Sequence, residues 1–168
     1  MQETPQQYIQ RMLSHVQGKD PVRLQQTAAR KLSALIKPMS KKQLTRRPAP
    51  DKWSIAEILA HLADAELVIG YRLRLILASN ATAIQAFDQD TWADTFNYNR
   101  RDPKTSLETF RVLRENNLRV LSTVPRSLWQ NYGKHQERGK ETVAHIVKLI
   151  AGHDLNHVAQ IEKIVKSR

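Results

Sequence analysis

Ala151-Gly152-His153-Asp154-Leu155-Asn156-His157-Val158-Ala159-Gln160-Ile161 carries two histidines four residues apart within apolar residues at helical spacing. On an α-helix, positions i and i+4 lie one above the other, about 5–6 Å apart at Cβ. Two imidazoles placed in this way can both reach one metal ion at about 2.0–2.1 Å. Working outward, Ile146, Ile150, His153, His157, Ile161 and Ile164 fall on one continuous face. The spacing therefore predicts a helix from about Thr142 to Val165 with both imidazoles toward the core. Burying a neutral imidazole without a partner is costly, and metal ligation is one remedy. A core histidine hydrogen-bonded to a neighbouring helix is another, and spacing alone leaves both open.

Three further segments share the helical period. Asp20-Pro21 reads as an N-cap followed by a proline in the first turn. Leu24, Ala28, Leu32, Leu35 and Ile36 then recur up to Pro38. Ser54-Ile55-Ala56-Glu57 fits a capping box, and a stripe from Ile55 to Leu77 carries that helix to about Ser79-Asn80. Thr105-Ser106-Leu107-Glu108 repeats the capping-box form, with Phe110, Leu113, Leu118 and Leu121 following before Pro125. A shorter helical pattern begins at Tyr8 and stops at Gly18, and Gln43 to Lys52 is a proline-bearing loop. Ala81 to Arg101 reads as a long connection with a short helix, of the kind that covers a site or an interface. Trp129 to Lys140, polar and holding Gly133 and Gly139, reads as loop. Sustained period-two alternation is absent, so no significant sheet is expected. The expected fold is all-α, a four-helix bundle over residues 1–168 as one domain, with a long helical and loop connection between helices 2 and 3.

The composition suits such a domain. In 168 residues, 40% are hydrophobic and 26% charged, an ordinary globular balance. Cysteine is absent, which excludes disulfides, thiol nucleophiles and cysteine metal sites. The N-terminus lacks a signal-peptide pattern and no apolar run is long enough to span a membrane, so a cytoplasmic protein with no membrane partner is expected. The net charge of +11 raises nucleic acid or an acidic small molecule as a partner. The charge is scattered, from Lys41-Lys42 to Lys166 and Arg168, with no block of like charges and no interleaved aromatics. It reads as a solvated basic surface, with a nucleic-acid module as a lesser alternative.

A third ligand would have to come from the other histidines. His61 flanks the apolar stripe of the second helix, and several bundle topologies could bring it to the pair. His135 in a polar loop and His15 near a helix end read as surface residues. His145 lies two turns before His153, too far to share one ion with both partners. Asp64 and Asp154 read as ion-pair residues first, or as groups that orient a ligand from another helix. Trp53 and Trp92 read as packing residues or as walls of a substrate pocket.

The stretch Arg47-Pro48-Ala49-Pro50-Asp51-Lys52-Trp53-Ser54-Ile55-Ala56-Glu57-Ile58-Leu59-Ala60-His61-Leu62-Ala63-Asp64-Ala65-Glu66 resembles the first signature of the DinB-like metalloenzymes. Ala86 to Ala93 resembles that family's middle stretch, and Gly152 to Ile161 its closing one. The resemblance implies an up-down-down-up four-helix bundle, a divalent ion (nickel or zinc) held by His61, His153 and His157, and a homodimer. It also implies hydrolase or thiol-dependent S-transferase activity on a small-molecule substrate, the latter with a low-molecular-weight thiol as cofactor. Three neutral imidazoles leave a position open on the ion, which is the catalytic rather than the structural arrangement. No catalytic base is identified. A metal- or ligand-binding bundle without turnover remains the rival reading.

Overall fold

Four caps set the starts of the long helices. Asp20 accepts the N–H groups of Val22 and Arg23 ahead of α2 (Pro21–Ile36). Ser54 and Glu57 exchange capping-box bonds ahead of α4 (Ile55–Ala78): the Ser54 hydroxyl accepts Glu57 N–H, and the Glu57 carboxylate accepts Ser54 N–H at 2.7 Å. Asp102 starts α6 (Pro103–Thr123), and Thr142 starts α7 (Val143–Lys166). The start of α6 corrects the sequence reading. Asp102 accepts Thr105 N–H at 2.8 Å and Pro103 occupies the first turn, so Thr105 lies inside the helix. An aspartate with a proline after it, ahead in the chain, takes the cap.

The computed structural model describes residues 3–167, and Met1, Gln2 and Arg168 of the expected domain and charge pattern lie outside the described residues. The remaining elements are α1 (Pro5–Ser14), α3 (Lys41–Thr45), β1 (Thr82–Ile84), α5 (Gln89–Thr95), β2 (Tyr132–His135) and β3 (Gly139–Thr142), with 3-10 turns at Tyr98–Arg100 and Arg126–Gln130. α3 overlaps the start of the loop expected over Gln43 to Lys52, a short helix that Ser40 and Gln43 open with a capping box of their own.

The bundle's directions follow from its two core layers. One layer joins Leu32 and Ile36 of α2, Ile55 and Leu59 of α4, Phe110 of α6, and Val158 and Ile161 of α7. The other joins Leu73 and Ile76 of α4, Leu121 of α6, and Val143, Ile146 and Val147 of α7, with Val22 of α2 packed against it. So α4 and α6 run one way while α2 and α7 run the other, which is the up-down-down-up order. Because α4 and α6 are parallel neighbours, the chain must travel back along the bundle between them. Residues 79–102 make that return with β1 and α5, as the long connection was expected to do.

The expectation of no sheet is corrected. β1 pairs parallel with β2, and β2 pairs antiparallel with β3. The strands hold three or four residues each, too short for alternation to register. Their buried positions are moreover Gly133, His135 and Glu141, with Ile84 of β1 as the one buried apolar side chain among them. Gly139, at φ 74°, follows the three-residue loop of this hairpin, where a left-handed residue is usual. The sheet buries His135, read from sequence as a surface residue. His15, also read as surface, is half-buried, because α1 is seated on α7 with Met12 and Val16 in the core. Gly152 makes that seat: a Cβ there would stand 2.0 Å from the Met12 carbonyl oxygen.

Candidate metal centre

Helices α4 and α7 carry the expected ligands to one point. His61 lies two turns into α4, and His153 and His157 lie midway along α7; all three are buried. His61 Nε2 is 2.9 Å from His153 Nε2, and His157 Nε2 is 3.0 Å from the same atom. One ring nitrogen from each lies within 4.8 Å of the others. Antiparallel packing of α4 on α7 sets His61 opposite the pair, a relation that the sequence could not fix.

Burial pushes all three imidazoles toward neutrality. His61 and His153 fall well below their ordinary pKa through desolvation, reinforced for each by the neighbouring histidine charge. Burial lowers His157 to about 4; its bond to Gln160 opposes the shift and the Arg11 charge adds to it. Neutral rings are the form that binds metal.

The hydrogen bonds test the fit. His157 Nδ1–H donates to Gln160 Oε1 at 2.7 Å, which leaves the Nε2 lone pair facing His153. The buried Nδ1 of His61 has no hydrogen-bond partner among the described residues. Three inward nitrogens cannot all satisfy one another, because each contact needs one proton and one lone pair. A cation at their centre would accept all three lone pairs, and separations of 2.9–3.0 Å suit ligands about 2.0–2.1 Å from a common point. The residues fit a divalent ion.

The carboxylates near these histidines are committed elsewhere. Glu57 pairs with Arg47. Asp64 accepts the Tyr98 hydroxyl and Arg101, each at 2.8 Å. Asp154 and Glu66 both bind Arg114, at 2.5 and 2.8 Å, within an interior where all three side chains are nearly inaccessible. Burial works against the Arg114 charge, but the two carboxylates outweigh it and raise its pKa. Burial also raises Asp154, against the pull of Arg114. Asn117 completes the cluster by donating to Glu66. Asp154 is thus an inter-helix ion-pair residue, and Asp64 pairs with the segment ahead of α6.

Aromatic rings and two cavities surround the histidines. Trp53 packs against His61 with ring centres 5.0 Å apart, and Phe87 lies parallel to the His61 ring. Trp92 packs edge-on against Phe87 instead of touching a histidine. On one side a cavity of about 530 Å³ is lined by Trp53, Ile58, Asp90, His157 and Gln160 among others. On the other a cavity of about 490 Å³ is lined by His61, His153, Phe87 and Arg72 among others. The sequence reading gave Gln160 and Phe87 no role. Gln160 carried a usable signal, since i+3 from a candidate ligand on the same helix is within reach of its ring. Phe87, in an irregular segment, carried none.

A four-helix bundle with three converging buried histidines defines a class of helical proteins with metal-ligand geometry. The chain belongs to the DinB superfamily, whose family model matches residues 23–161. It is 27% identical over 141 residues to a protein of Oceanobacillus iheyensis provisionally named a metal-dependent hydrolase, covering 82% of this chain and 79% of that protein. To YfiT of Bacillus subtilis, provisionally named in the same way, it is 24% identical over 136 residues, covering 80% and 76%. The solved structure of YfiT, reported as a probable metal-dependent hydrolase with an unusual four-helix bundle topology, superposes with a TM-score of 0.82 at 21% identity, covering 88% of this chain and 85% of that one. A DinB-like protein of Bacillus subtilis gives a TM-score of 0.51 at 17% identity, covering 96% and 91%.

Proposed function

We propose that this chain is a divalent-metal-dependent enzyme in which His61, His153 and His157 hold one ion, and that it hydrolyses a small-molecule substrate. The observation that carries the reading is the convergence of three buried, neutral imidazoles, with His157 turned by Gln160 so that a lone pair faces inward. When bound, the ion would supply a Lewis-acidic centre that lowers the pKa of water or a thiol beside it. An all-imidazole donor set suits nickel and zinc alike.

The chain's own residues supply the rest. Trp53 and Phe87 shield the histidines, and Gln160 holds the His157 ring. Asp51 and Asp90, both exposed, lie on the wall of the larger cavity with His157. The relatives' names favour hydrolysis. A second reading, S-transfer from a low-molecular-weight thiol, is favoured by the commitment of Glu57, Asp64 and Asp154 to arginines. Thiolate attack needs no general base once the thiol is ionised, whereas water attack and leaving-group release both move protons. We propose that the reaction takes place in the cytoplasm. We also expect a homodimer, for which Leu67 and Tyr71, exposed one turn apart on α4, offer an apolar contact.

Elemental analysis of untagged protein, run beside His61→Ala and His153→Ala, tests the reading. The expected result is about one nickel or zinc ion per chain, lost in both variants while helicity persists. Protein that is metal-free and cannot be reconstituted would overturn it. Turnover of esters or amides against turnover of thiol-plus-electrophile pairs then separates the two reactions.

A further inference from the structure

The smaller cavity holds a guanidinium that the metal centre leaves unexplained. Arg72 is 6% exposed and follows His61 on α4 by eleven residues. Eleven residues turn an α-helix through about three full turns plus 20°, so both side chains share one face. The Arg72 side chain leans toward the helix N-terminus, hence toward His61. It donates to the Gln85 carbonyl oxygen. No ion pair among the described residues includes it.

The other buried arginine behaves differently. Arg114 is met by two carboxylates. Arg138, on the wall of the same cavity as Arg72, is held in a fork by Glu141 at 2.7 and 3.0 Å. A buried charge without a counter-charge is costly and rare. Burial lowers the Arg72 pKa to about 10, with the Arg138 charge adding to the effect and the Glu141 and Glu137 charges opposing it, and it stays protonated at neutral pH.

The cavity's length and lining describe what would meet this charge. Gln85 touches Arg72, and Phe87, two residues on, stacks on His61. The rise from His61 to Arg72 along α4 is about 16 Å, and a long side chain leaning toward the helix N-terminus shortens that gap, so guanidinium and imidazole lie on the order of 10 Å apart. Ala65, Val68, Ile69 and Ile150 line the cavity along with them. Glu137 and Asp88 also line it and are exposed, and Asp88 is occupied in capping α5. These two charges disfavour a dianion, whereas the single free fork matches one planar carboxylate.

We propose that Arg72 is a substrate-positioning residue that binds the carboxylate of a small molecule whose apolar middle crosses Ala65 and Ile69 and whose far end lies at His61 and His153. The substrate class is a short-chain carboxylic acid carrying its reactive group at the end remote from the carboxylate. This rests on the reading of the histidines as the reacting centre, although binding at Arg72 is measured without turnover.

Calorimetric titration of the protein as purified with hexanoate and with hexanamide tests it, metal content being determined on the same samples. The acid should bind about tenfold more tightly than the amide, the size of one charge-assisted hydrogen-bonded contact. Arg72→Gln should abolish that preference, and Arg72→Lys should retain part of it. In the wild-type chain, phenylglyoxal modification of Arg72, read by peptide mass spectrometry, should be slowed by hexanoate and not by hexanamide, which needs no variant to fold. Equal binding of acid and amide overturns the proposal, as does a preference that survives in Arg72→Gln, the sign of a carboxylate bound at the metal instead. Tighter binding of inorganic phosphate than of hexanoate overturns the carboxylate assignment. Metal-free protein with the acid preference intact would sink the metal reading alone; metal-loaded protein without the preference would sink this one alone.

Discussion

Replacing Gln160 with Met should weaken metal binding without removing a ligand. A neutral imidazole carries one proton, on either nitrogen, and binds metal through the other. Donation from His157 Nδ1–H to Gln160 Oε1 at 2.7 Å keeps that proton outward and leaves Nε2 facing His153. Met fills a similar volume but accepts no such bond, so the ring is free to flip or carry its proton on Nε2. Losing the partner of a ligating histidine typically costs 10–100-fold in affinity, on the order of 1.4–2.7 kcal/mol. Gln160 is exposed, so water can replace it in part, and the lower end, about tenfold, is expected. Gln160→Glu should act oppositely, because a carboxylate partner makes the ligand more basic. Competition for zinc against a chromophoric chelator measures both, with His157→Ala as the reference for a lost ligand. Unchanged affinity in Gln160→Met would refute the argument from the ring's orientation. A loss as large as that of His157→Ala would instead make Gln160 a ligand.

Other perturbations test the frame around the site. Arg114→Met leaves Glu66 and Asp154 buried without their counter-charge, so urea denaturation should show a loss of about 3–5 kcal/mol. Gly152→Ala puts a Cβ 2.0 Å from the Met12 carbonyl oxygen. Since backbone must move, about 3 kcal/mol should be lost, and proteolysis within residues 3–20 should quicken before the bundle melts; wild-type resistance would contradict the close seat of α1. His135 and His157 have folded pKa values lowered to about 4, each by burial first. The unfolded chain therefore takes up protons on these groups below about pH 6.5 while the folded chain does not, and stability falls from there to about pH 4 by roughly 1.4 kcal/mol per unit and histidine. His135→Asn should flatten the melting temperature of metal-free protein against pH across that window, and an unchanged slope would show that His135 does not contribute.

What the sequence determined by itself was local. The caps at Asp20 and Ser54, the extents of α4 and α7, and the pairing of His153 with His157 follow from contacts within one turn of helix, where the residues involved are neighbours in the chain. The capping-box reading at Thr105 failed for the same kind of reason, because Asp102 and Pro103 offered a better start three residues earlier. The family resemblance supplied His61 and the helix directions, which periodicity alone left open.

Tertiary structure decided the rest. The sheet was invisible because its strands are short and β2 and β3 bury a glycine, a histidine and a glutamate, whose burial depends on what lies above them, leaving Ile84 of β1 as a single apolar position with no alternation around it. His135 and Glu141 look like surface residues until β2 is closed between β1 and β3. Likewise, only the assembled bundle shows that Asp154 of α7 belongs to Arg114 of α6, 40 positions away, and that Arg72 of α4 lines a cavity with His61 and His153 without an ion-pair partner of its own. Periodicity tells which face of a helix is buried. It does not tell which charges the buried face will meet, since those arrive from segments that sequence distance does not constrain.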